Sequence, residues 1–232
     1  MLSDEQIERY SRQIILRQMG GKGQEQLLRS RIFVNIVGAM QTSALHYLAA
    51  VGVGTLGVFS SPQNSHLTAL ASLREKNSFQ VLPQLNPDCA ITIHAREESQ
   101  TALQHIVRNY DVILSDSEFL HDDCYYAKKP FLYAAVTEQE AWLMTCQGYE
   151  PDSPCLRCIQ PRFPANSAFS PFTQAFALFM GAHLATEAVL YLLHLSPSPA
   201  KKLLRFRLPD FHCSAEVIHK AATCSLCHPS PL

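Results

Sequence analysis

Glycine is scarce in this sequence. Nine glycines among 232 residues make up about 4% of the chain, below the roughly 7% of an average protein. The scarcity matters because phosphate-binding turns in α/β proteins are built from closely spaced glycines. It excludes a collagen-like chain, and 47% hydrophobic residues exclude intrinsic disorder. A chain of this length with eight cysteines is not a disulfide miniprotein, so we expect one large folded domain or two small ones.

Excess charge and long apolar runs are lacking as well. Nineteen basic and twenty acidic side chains leave a formal charge of −1, so no overall field attracts nucleic acid or an anionic membrane. No uninterrupted apolar stretch reaches the roughly 18 to 20 residues of a membrane span, and the start, Met1–Glu5, is acidic where a signal peptide is basic. These features predict a cytoplasmic protein without nucleic-acid or membrane partners.

Apolar periodicity predicts alternating strands and helices. Ser3 and Gln6 have capping-box spacing, so we expect a helix from residue 4 to the glycines at 20–23 and a second one over Gln24–Arg29. The expected strands are Ile32–Val37, Thr55–Phe59, Ala90–His94, Asp111–Leu114 and Phe131–Val136, and the helices between them are 41–50, 67–82, 100–109 and 120–127. This order predicts an α/β fold with a doubly wound, Rossmann-like, mostly parallel sheet and an antiparallel extension near Ala141–Cys146.

The last third of the chain has a different character. Residues 147–170 are proline-bearing and without clear periodicity, so they form a long excursion. The apolar run Phe172–His194 is interrupted by His183 and Glu187, which favours a buried helix over a membrane span. Because no repeat or linker divides the chain, we expect a single domain over 1–232. It comprises an N-terminal helical segment (1–30), a Rossmann-like core (31–146) and a crossover with buried helix and tail (147–232).

Four of the eight cysteines form two pairs with metal-ligand spacing. Two residues separate Cys155 from Cys158, and two separate Cys224 from Cys227. Two such turns supply the four thiolates of a tetrahedral site, which leaves no open position for substrate and therefore predicts a structural Zn²⁺ that staples the excursion to the tail. Two unrelated pairs of buried cysteines are the alternative. A redox pair is disfavoured because neither pair opens a helix directly after a strand, and the other four cysteines are expected to be small buried hydrophobes.

The opening segment Leu2–Leu16 resembles the N-terminus of the MoeB/ThiF/HesA proteins, relatives of the ubiquitin-activating enzymes. Further blocks agree in the same order: Gly23–Glu25, the strand ending at Gly38, Leu48–Gly57, Leu85–Pro87, Tyr110–Val112, Lys129–Phe131, Pro154–Cys158, Glu187–Ala188 and the final cysteine pair. The resemblance covers essentially the whole chain and implies a single ThiF-type domain.

The resemblance also implies a reaction and partners. Members of this family bind ATP and Mg²⁺, adenylate the C-terminal glycine of a ubiquitin-like or sulfur-carrier protein, and usually form dimers with continuous sheets. This chemistry needs a glycine turn for the phosphates, an acid for the ribose, cations for the phosphates and a carboxylate for Mg²⁺. A homodimer or heterodimer with a MoeB/ThiF-like chain, and a sulfur-carrier protein, are therefore the expected partners.

The phosphate-binding turn departs from the family pattern. The family has Gly-x-Gly-Gly-x-Gly after the first strand, whereas this chain has Gly38-Ala-Met-Gln-Thr-Ser43. Met40 and Gln41 place side chains where the backbone approaches a phosphate, and Ser43 adds bulk where helix and strand meet. Gly38 is the one glycine of the turn that remains, so the sequence predicts a vestigial nucleotide site.

The ribose and phosphate contacts are altered as well. The acid expected about 20 residues after the turn is replaced by Ser60, which also argues against NAD. The family's Asn-x-x-Arg-Gln segment corresponds to Asn64–Ala69, which contains no arginine. Arg74 stands 11 residues before Leu85, at the family's phosphate-binding lysine, with Lys76 nearby. A solvated helix face explains both cations equally well.

The Mg²⁺ carboxylate is displaced. In the family motif Asp-x-x-Asp-Asn-Phe, aligned on Phe119, Ser117 takes the position of the catalytic acid and Asp116 precedes it. A neighbouring loop position points elsewhere, and catalysis tolerates little displacement. Some relatives carry a sulfur-accepting cysteine after the first pair, but here 160–171 contains none and Asn166 lies roughly at that position.

Two hypotheses follow from these departures. Arg12 matches the family's arginine that reaches into the partner's nucleotide site, although spacing alone suggests an exposed helix face for Arg9 and Arg12. The leading hypothesis is a pseudoenzyme that serves as the non-adenylating subunit or scaffold of a pair. The alternative is an active adenylyltransferase that works through Arg74 or Lys76, Asp116 and a partner's arginine.

Overall fold

The fold is taken from a computed structural model that describes residues 1–36, 38–59, 81–95, 99–159, 171–195, 201–208, 210 and 212–228. The helices in these ranges are α1 (Asp4–Arg9), α2 (Ser11–Ile14), α3 (Gly20–Arg29), α4 (Ala39–Val51), α5 (Val81–Leu85), α6 (Gln100–Arg108), α7 (His121–Ala127) and α8 (Pro171–Leu192). The strands are β1 (Arg31–Asn35), β2 (Thr55–Phe59), β3 (Ala90–His94), β4 (Val112–Ser115), β5 (Phe131–Val136), β6 (Glu140–Cys146), β7 (Lys202–Arg207) and β8 (His212–Val217).

The described strands form one sheet in the order β3-β2-β1-β4-β5-β6-β7-β8. The pairings from β3 to β5 are parallel, and those from β5 to β8 are antiparallel. This confirms the predicted doubly wound α/β sheet with an antiparallel extension. The strand order reverses between β1 and β4, and in such sheets this reversal opens a crevice at the carboxyl ends of the two strands.

Alternation along β1 divides the core between the two faces of the sheet. Ile32 and Val34 belong to the cluster that includes residues of α4 and α8, whereas Phe33 belongs to the cluster that includes residues of α6 and α7. Because side chains alternate across a strand, a strand covered on both faces must be apolar at successive positions. All three residues are fully buried, which explains the continuous apolar run in the sequence.

The N-terminal segment differs from the single long helix that the sequence predicts. Two short helices, α1 and α2, are separated at Tyr10, whose side chain is 1% exposed. The glycine cluster does not end a helix, because α3 begins at Gly20, which has a φ of 60°. Gly23 lies inside α3, where an added Cβ would come within 3.1 Å of Met19 and 3.4 Å of Leu193. Gly20 therefore permits the left-handed conformation at the start of α3, and Gly23 permits the close contact with Met19 and Leu193.

The antiparallel extension is larger than the sequence predicts. β7 pairs with β6, and β8 pairs with β7 at the end of the described sheet. All six residues of β8 are exposed, including Cys213, which we expected to be buried. A strand exposed on both faces needs no apolar alternation, so its sequence carries no strand pattern.

The long apolar helix α8 is covered on one face. A row of buried residues recurs every four positions along the helix, and it comprises Phe176, Met180, Leu184, Ala188 and Leu192. They pack against α4 and the central strands. By length and hydropathy alone, Phe172–Leu192 is the one helix among the described residues that could cross a membrane, and 39% of its most apolar window is buried. The packing accounts for one apolar face of the helix.

A glycine controls how closely α8 approaches α4. A Cβ added at Gly181 would lie 2.2 Å from the carbonyl oxygen of Met40 and 2.9 Å from the Cβ of Ser43. The first of these contacts is with backbone, which cannot rotate away. The lack of a side chain at Gly181 therefore allows α8 to pack closely against the first turns of α4.

We expect Gly181→Ala to lower the free energy of unfolding by about 1–3 kcal/mol, since an extra methyl group in a close contact forces the packed elements apart. The measurement is urea denaturation. Gly21→Ala is the matched control, because its Cβ would meet nothing closer than a Leu2 methyl at 4.0 Å and alanine favours helix. Equal stability of the two variants would contradict the close-contact argument.

Candidate functional site

The crevice at the ends of β1 and β4 contains a network of hydroxyl and amide groups. Asn35 Nδ2 donates to Ser115 Oγ at 3.0 Å and to Ser117 Oγ at 3.3 Å. Ser115 Oγ donates to the carbonyl of Ser117 at 2.7 Å and accepts from the Ser117 amide at 3.1 Å. These bonds hold Ser117 against the strand ends. A hydroxyl in this position carries no charge with which to bind Mg²⁺.

Carboxylates flank this network without joining the hydrogen bonds just described. The Asp116 amide donates to the carbonyl oxygen of Asn35 at 3.4 Å. Burial raises the pKa of Tyr133 to about 12, and the negative charges of Asp116 and Glu118 act in the same direction. The negative charges of both carboxylates therefore act on Tyr133 of β5, beside the hydroxyl network.

The turn between β1 and α4 retains one glycine in an unusual conformation. Gly38 caps α4 with a φ of 77° and a ψ of −144°, a combination that favours glycine. We expected the side chain of Met40 to lie over the turn. Instead, Met40 is 5% exposed and belongs to the core cluster of Val34 and Met180. Gln41 is 2% exposed, and its Oε1 has no hydrogen-bond partner among the residues that the structure describes.

The first turns of α4 are therefore packed with side chains. Ser43, expected to add bulk between helix and strand, instead meets α8, where its Cβ faces Gly181. Residues 39–43 are all buried. Backbone amides at a helix N-terminus attract anions, but here the turn that leads to them has lost the glycines that admit a phosphate closely.

Several predicted contacts lie outside the described residues. Among them are Ser60, Arg74 and Lys76 of the vestigial nucleotide site, the Asn64–Ala69 segment and Asn166. Their assignment stays a prediction. The described part of the crevice consists of Gly38 and the groups at the ends of β1 and β4.

The N-terminal helices are fastened to the loop before β3. Arg9 Nη1 lies 2.5 Å from Asp88 Oδ2, and Tyr10 Oη donates to the same carboxylate at 2.9 Å. Asn86 Nδ2 donates to Tyr10 Oη at 2.9 Å and to the carbonyl of Ala49 at 2.7 Å. Burial raises the pKa of Tyr10 to about 12, so its hydroxyl remains a donor at neutral pH.

Arg9 and Arg12 thus have different environments in the structure. Arg9 is committed to Asp88 of the same chain, whereas Arg12 is exposed on α2. Among the residues that the structure describes, Arg12 forms no hydrogen bond or ion pair. The first arginine anchors the segment, and the second extends from it into solvent.

The two cysteine pairs meet in space. Their four sulfur atoms lie within 4.8 Å of one another, and all are free thiols. The separations are 3.7 Å for Cys155–Cys158, 3.5 Å for Cys155–Cys224 and 3.4 Å for Cys158–Cys227. Four sulfurs at the Zn–S distance of about 2.3 Å around one tetrahedral ion lie about 3.8 Å apart. The cluster can therefore hold one metal ion.

The thiols ionise unequally in the absence of a cation. Burial opposes ionisation of Cys224, but hydrogen bonds from the amides of Cys227 and Leu226 and from the Cys155 thiol lower its pKa to about 7. Burial and the neighbouring thiols raise the pKa of Cys227 to about 12, and burial raises that of Cys155 further still. A bound cation stabilises all four thiolates together, so this donor set suits a soft divalent metal.

Side chains that the sequence did not single out surround the first cysteine turn. His121, at the start of α7, is 3% exposed, and its Nε2 accepts a hydrogen bond from the Leu156 amide at 2.9 Å. Arg157, between the first two cysteines, forms an ion pair with Asp122 and donates to Ser225 Oγ at 3.2 Å. His121 and Asp122 are more than 30 residues from Arg157 in sequence, so no local spacing could reveal these contacts.

Comparisons with known proteins agree with this geometry. The profile of the ThiF family matches residues 78–227. The chain is 30% identical over 253 residues to the "Adenylyltransferase and sulfurtransferase MOCS3" of Drosophila persimilis, with 100% of this chain and 56% of that protein covered. For the protein of the same name from Drosophila yakuba, the identity is 32%, with 100% and 55% covered. The chain thus spans about half the length of these relatives.

Solved structures support the same fold. Escherichia coli MccB superposes with a TM-score of 0.75 at 16% identity, covering 100% of this chain and 74% of that one. PaaA superposes with a TM-score of 0.74 at 17% identity, covering 94% and 84%. At such low identity these likenesses concern the fold alone.

We expect Tyr10→Phe to reduce the free energy of unfolding by about 1–2 kcal/mol, because the buried amide of Asn86 and the carboxylate of Asp88 both lose a partner. Thermal denaturation with the exposed Tyr126→Phe as control measures the difference, since Tyr126 is 72% exposed. If the two variants melt together, the Tyr10 hydroxyl does not fasten the N-terminal segment.

Proposed function

Because the chain belongs to the ThiF family, we propose that it is a subunit of a ThiF-type activating pair that does not itself adenylate. The observation that carries this proposal is the hydrogen-bonded serine pair at the crevice. Ser117 occupies the position of the family's Mg²⁺ acid and is bonded to Asn35 and Ser115. A neutral network there offers no ligand that could replace the missing charge.

The buried start of α4 supports the same proposal. Its residues 39–43 fill the space beside α8, and Gly38 alone remains of the glycine turn. Without further glycines the backbone cannot approach a pyrophosphate closely. ATP and Mg²⁺ would therefore bind weakly at most to this chain.

The second part of the proposal concerns what the chain supplies to a partner. Arg9 fastens α1 to Asp88, and this contact leaves the exposed Arg12 on a fixed segment. We propose that Arg12 reaches the phosphates in the nucleotide site of a MoeB/ThiF-like partner, as an arginine finger does. The partner is a second copy or a related chain, and the pair acts on a ubiquitin-like sulfur carrier in the cytoplasm. The chain would serve as one ThiF-type domain over 1–232.

An active adenylyltransferase is the second candidate function. Two observations favour it: Asp116 and Glu118 place negative charge beside the crevice, and the curated relatives bear the name adenylyltransferase. In this case Asp116 would hold Mg²⁺ in place of the family's acid, which Ser117 replaces, and Arg74 or Lys76 would bind the phosphates.

Pyrophosphate exchange distinguishes the two functions. The isolated chain, incubated with Mg-ATP, labelled pyrophosphate and a sulfur-carrier protein ending in Gly-Gly, is expected to give no exchange above the background without enzyme. Calorimetry with Mg-ATP is expected to detect no binding at micromolar concentrations. Exchange that disappears in Asp116→Asn would overturn the non-adenylating proposal and establish the second candidate.

Arg12→Ala tests the role in a partner's site. Mixed with an intact ThiF-family chain from the same source, it is expected to slow the partner's adenylation about a hundredfold relative to wild type, since a missing cation leaves transition-state charge uncompensated. Arg17→Ala is the control because Arg17 is also exposed in the same segment. Equal rates with both variants would contradict the arginine role.

We also propose that Cys155, Cys158, Cys224 and Cys227 hold one structural Zn²⁺. The support is their sulfur geometry and the shared cost of ionising four clustered thiols, three of them buried, without a cation. Four protein ligands leave no open position, so the ion contributes stability and takes no part in catalysis.

Cys155→Ser and Cys227→Ser test the metal. Elemental analysis is expected to find about one zinc per wild-type chain and little in either variant, with a lower melting temperature in both because structural metal binding contributes directly to folding. Cys213→Ser, a change at an exposed cysteine on β8, should retain both metal and melting temperature. Metal-free wild-type protein that melts as the variants do would refute the site.

A further inference from the structure

The four-cysteine cluster is connected to α7 through a buried histidine. His121 Nε2 accepts from the amide of Leu156, inside the turn between Cys155 and Cys158, at 2.9 Å. Its ring packs edge-on against Phe131, with centroids 5.3 Å apart. Burial lowers the pKa of His121 to about 4, so the ring is neutral at pH 7 and Nε2 can act as an acceptor. Nδ1 lies 3.2 Å from Asp122 Oδ1.

An ion pair continues this connection to the second cysteine turn. Asp122 Oδ1 accepts from Arg157 Nε at 3.1 Å, and its other oxygen accepts from Nη2 of the same guanidinium. Nη1 of Arg157 then donates to Ser225 Oγ between Cys224 and Cys227. Such two-pronged binding of arginine to carboxylate fixes orientation as well as distance. One set of side chains thus joins α7 to both turns.

The same set borders the loop that follows β4. His121 is the first residue of α7, and residues 116–120 connect it to the strand end with the Asn35–Ser115–Ser117 network. A cavity of about 540 Å³ is lined by Glu118 and Phe119 of this loop together with His121, Arg157 and Ser225. The loop and the cysteine turns therefore line one cavity, and the histidine and the ion pair join α7, which directly follows the loop, to these turns.

We infer that His121 and the Asp122–Arg157–Ser225 chain tie the loop 116–120 at the crevice to the four-cysteine cluster, so that metal occupancy sets how firmly this loop is held. The inference rests on the proposed metal. A bound ion restrains Leu156 and Ser225, which are the fixed ends of the connection. Without the ion the two turns can separate, and the loop then loses the contacts that hold the start of α7.

Hydrogen–deuterium exchange measured on the full-length protein tests the connection. In Asp122→Asn, the exchange rate of amides 115–121 and 156–159 is expected to rise about threefold to fivefold, because the variant loses a half-exposed ion pair. In His121→Leu the rise is expected to reach about tenfold, because the Leu156 amide is left without an acceptor. His121→Gln keeps an acceptor of similar reach and should restore most of the protection.

Two changes elsewhere serve as controls. Arg205→Gln breaks an ion pair with Glu140, at the opposite end of β6 from Cys146, the residue that pairs with Phe131, and His105→Leu removes an exposed histidine of α6 whose ring pairs with Asn109. Neither should alter exchange at 115–121. Zinc removal from wild type with a chelator should reproduce the pattern of Asp122→Asn at 115–121, with β2 amides unchanged.

The outcomes separate this inference from the metal proposal. Zinc-loaded Asp122→Asn and His121→Leu with wild-type exchange at 115–121 would overturn the connection and leave the metal proposal intact. Wild-type protein without bound metal would refute the metal proposal, and with it the inference that metal occupancy sets how firmly the loop is held. In that case, raised exchange in the two variants would still establish that these side chains hold the loop. Should His121→Leu fail to fold, Asp122→Asn decides alone.

Discussion

The burial of β1 on both faces is the constraint on which the rest of the structure depends. Ile32, Phe33 and Val34 are fully buried, so helices must cover both sides of the sheet and the chain must wind outwards in two directions from β1. This winding places β4 and β2 on either side of it and opens the crevice at the carboxyl ends of β1 and β4. The position of the site thus follows from strand packing alone, whatever side chains line it.

What the crevice can do is decided by the groups that this packing brings there. The ends of β1 and β4 present an amide and two hydroxyls that satisfy one another's hydrogen bonds. A network of neutral groups provides little electrostatic stabilisation for a developing charge. Along α4, Gly181 of α8 lies against the carbonyl oxygen of Met40 and the Cβ of Ser43, so the two helices pack closely. The described part of the crevice has the strand order of a doubly wound sheet and presents neutral hydrogen-bonded groups at the ends of β1 and β4.

The cysteine cluster applies a second constraint at the other end of the chain. The cysteine pairs lie more than 60 residues apart in sequence, yet their sulfurs meet within 4.8 Å. Closing such a loop costs chain entropy, which the proposed metal binding would offset. Through His121 and the ion pair of Asp122 with Arg157, this constraint extends to the loop after β4.

Patterns of short range were predictable from the sequence. The apolar run of β1, the periodicity of α6 and the spacing of both cysteine pairs encode local geometry directly, and the parallel sheet follows from their order. The N-terminal helix was predicted too long because Tyr10 is bound to Asn86 and Asp88, partners outside any local pattern. β8 was missed because a fully exposed edge strand needs no alternation.

The sequence by itself determined the fold class, the family resemblance and the four cysteines that could share a metal. Only the tertiary structure decided that Met40 belongs to the core, that Ser117 is bonded to Asn35, that Arg9 is paired while Arg12 is exposed, and that His121 contacts the first cysteine turn. The physical reason is that spacing fixes which residues can share a turn or a face. Hydrogen bonds and close packing between distant segments depend on how whole elements meet.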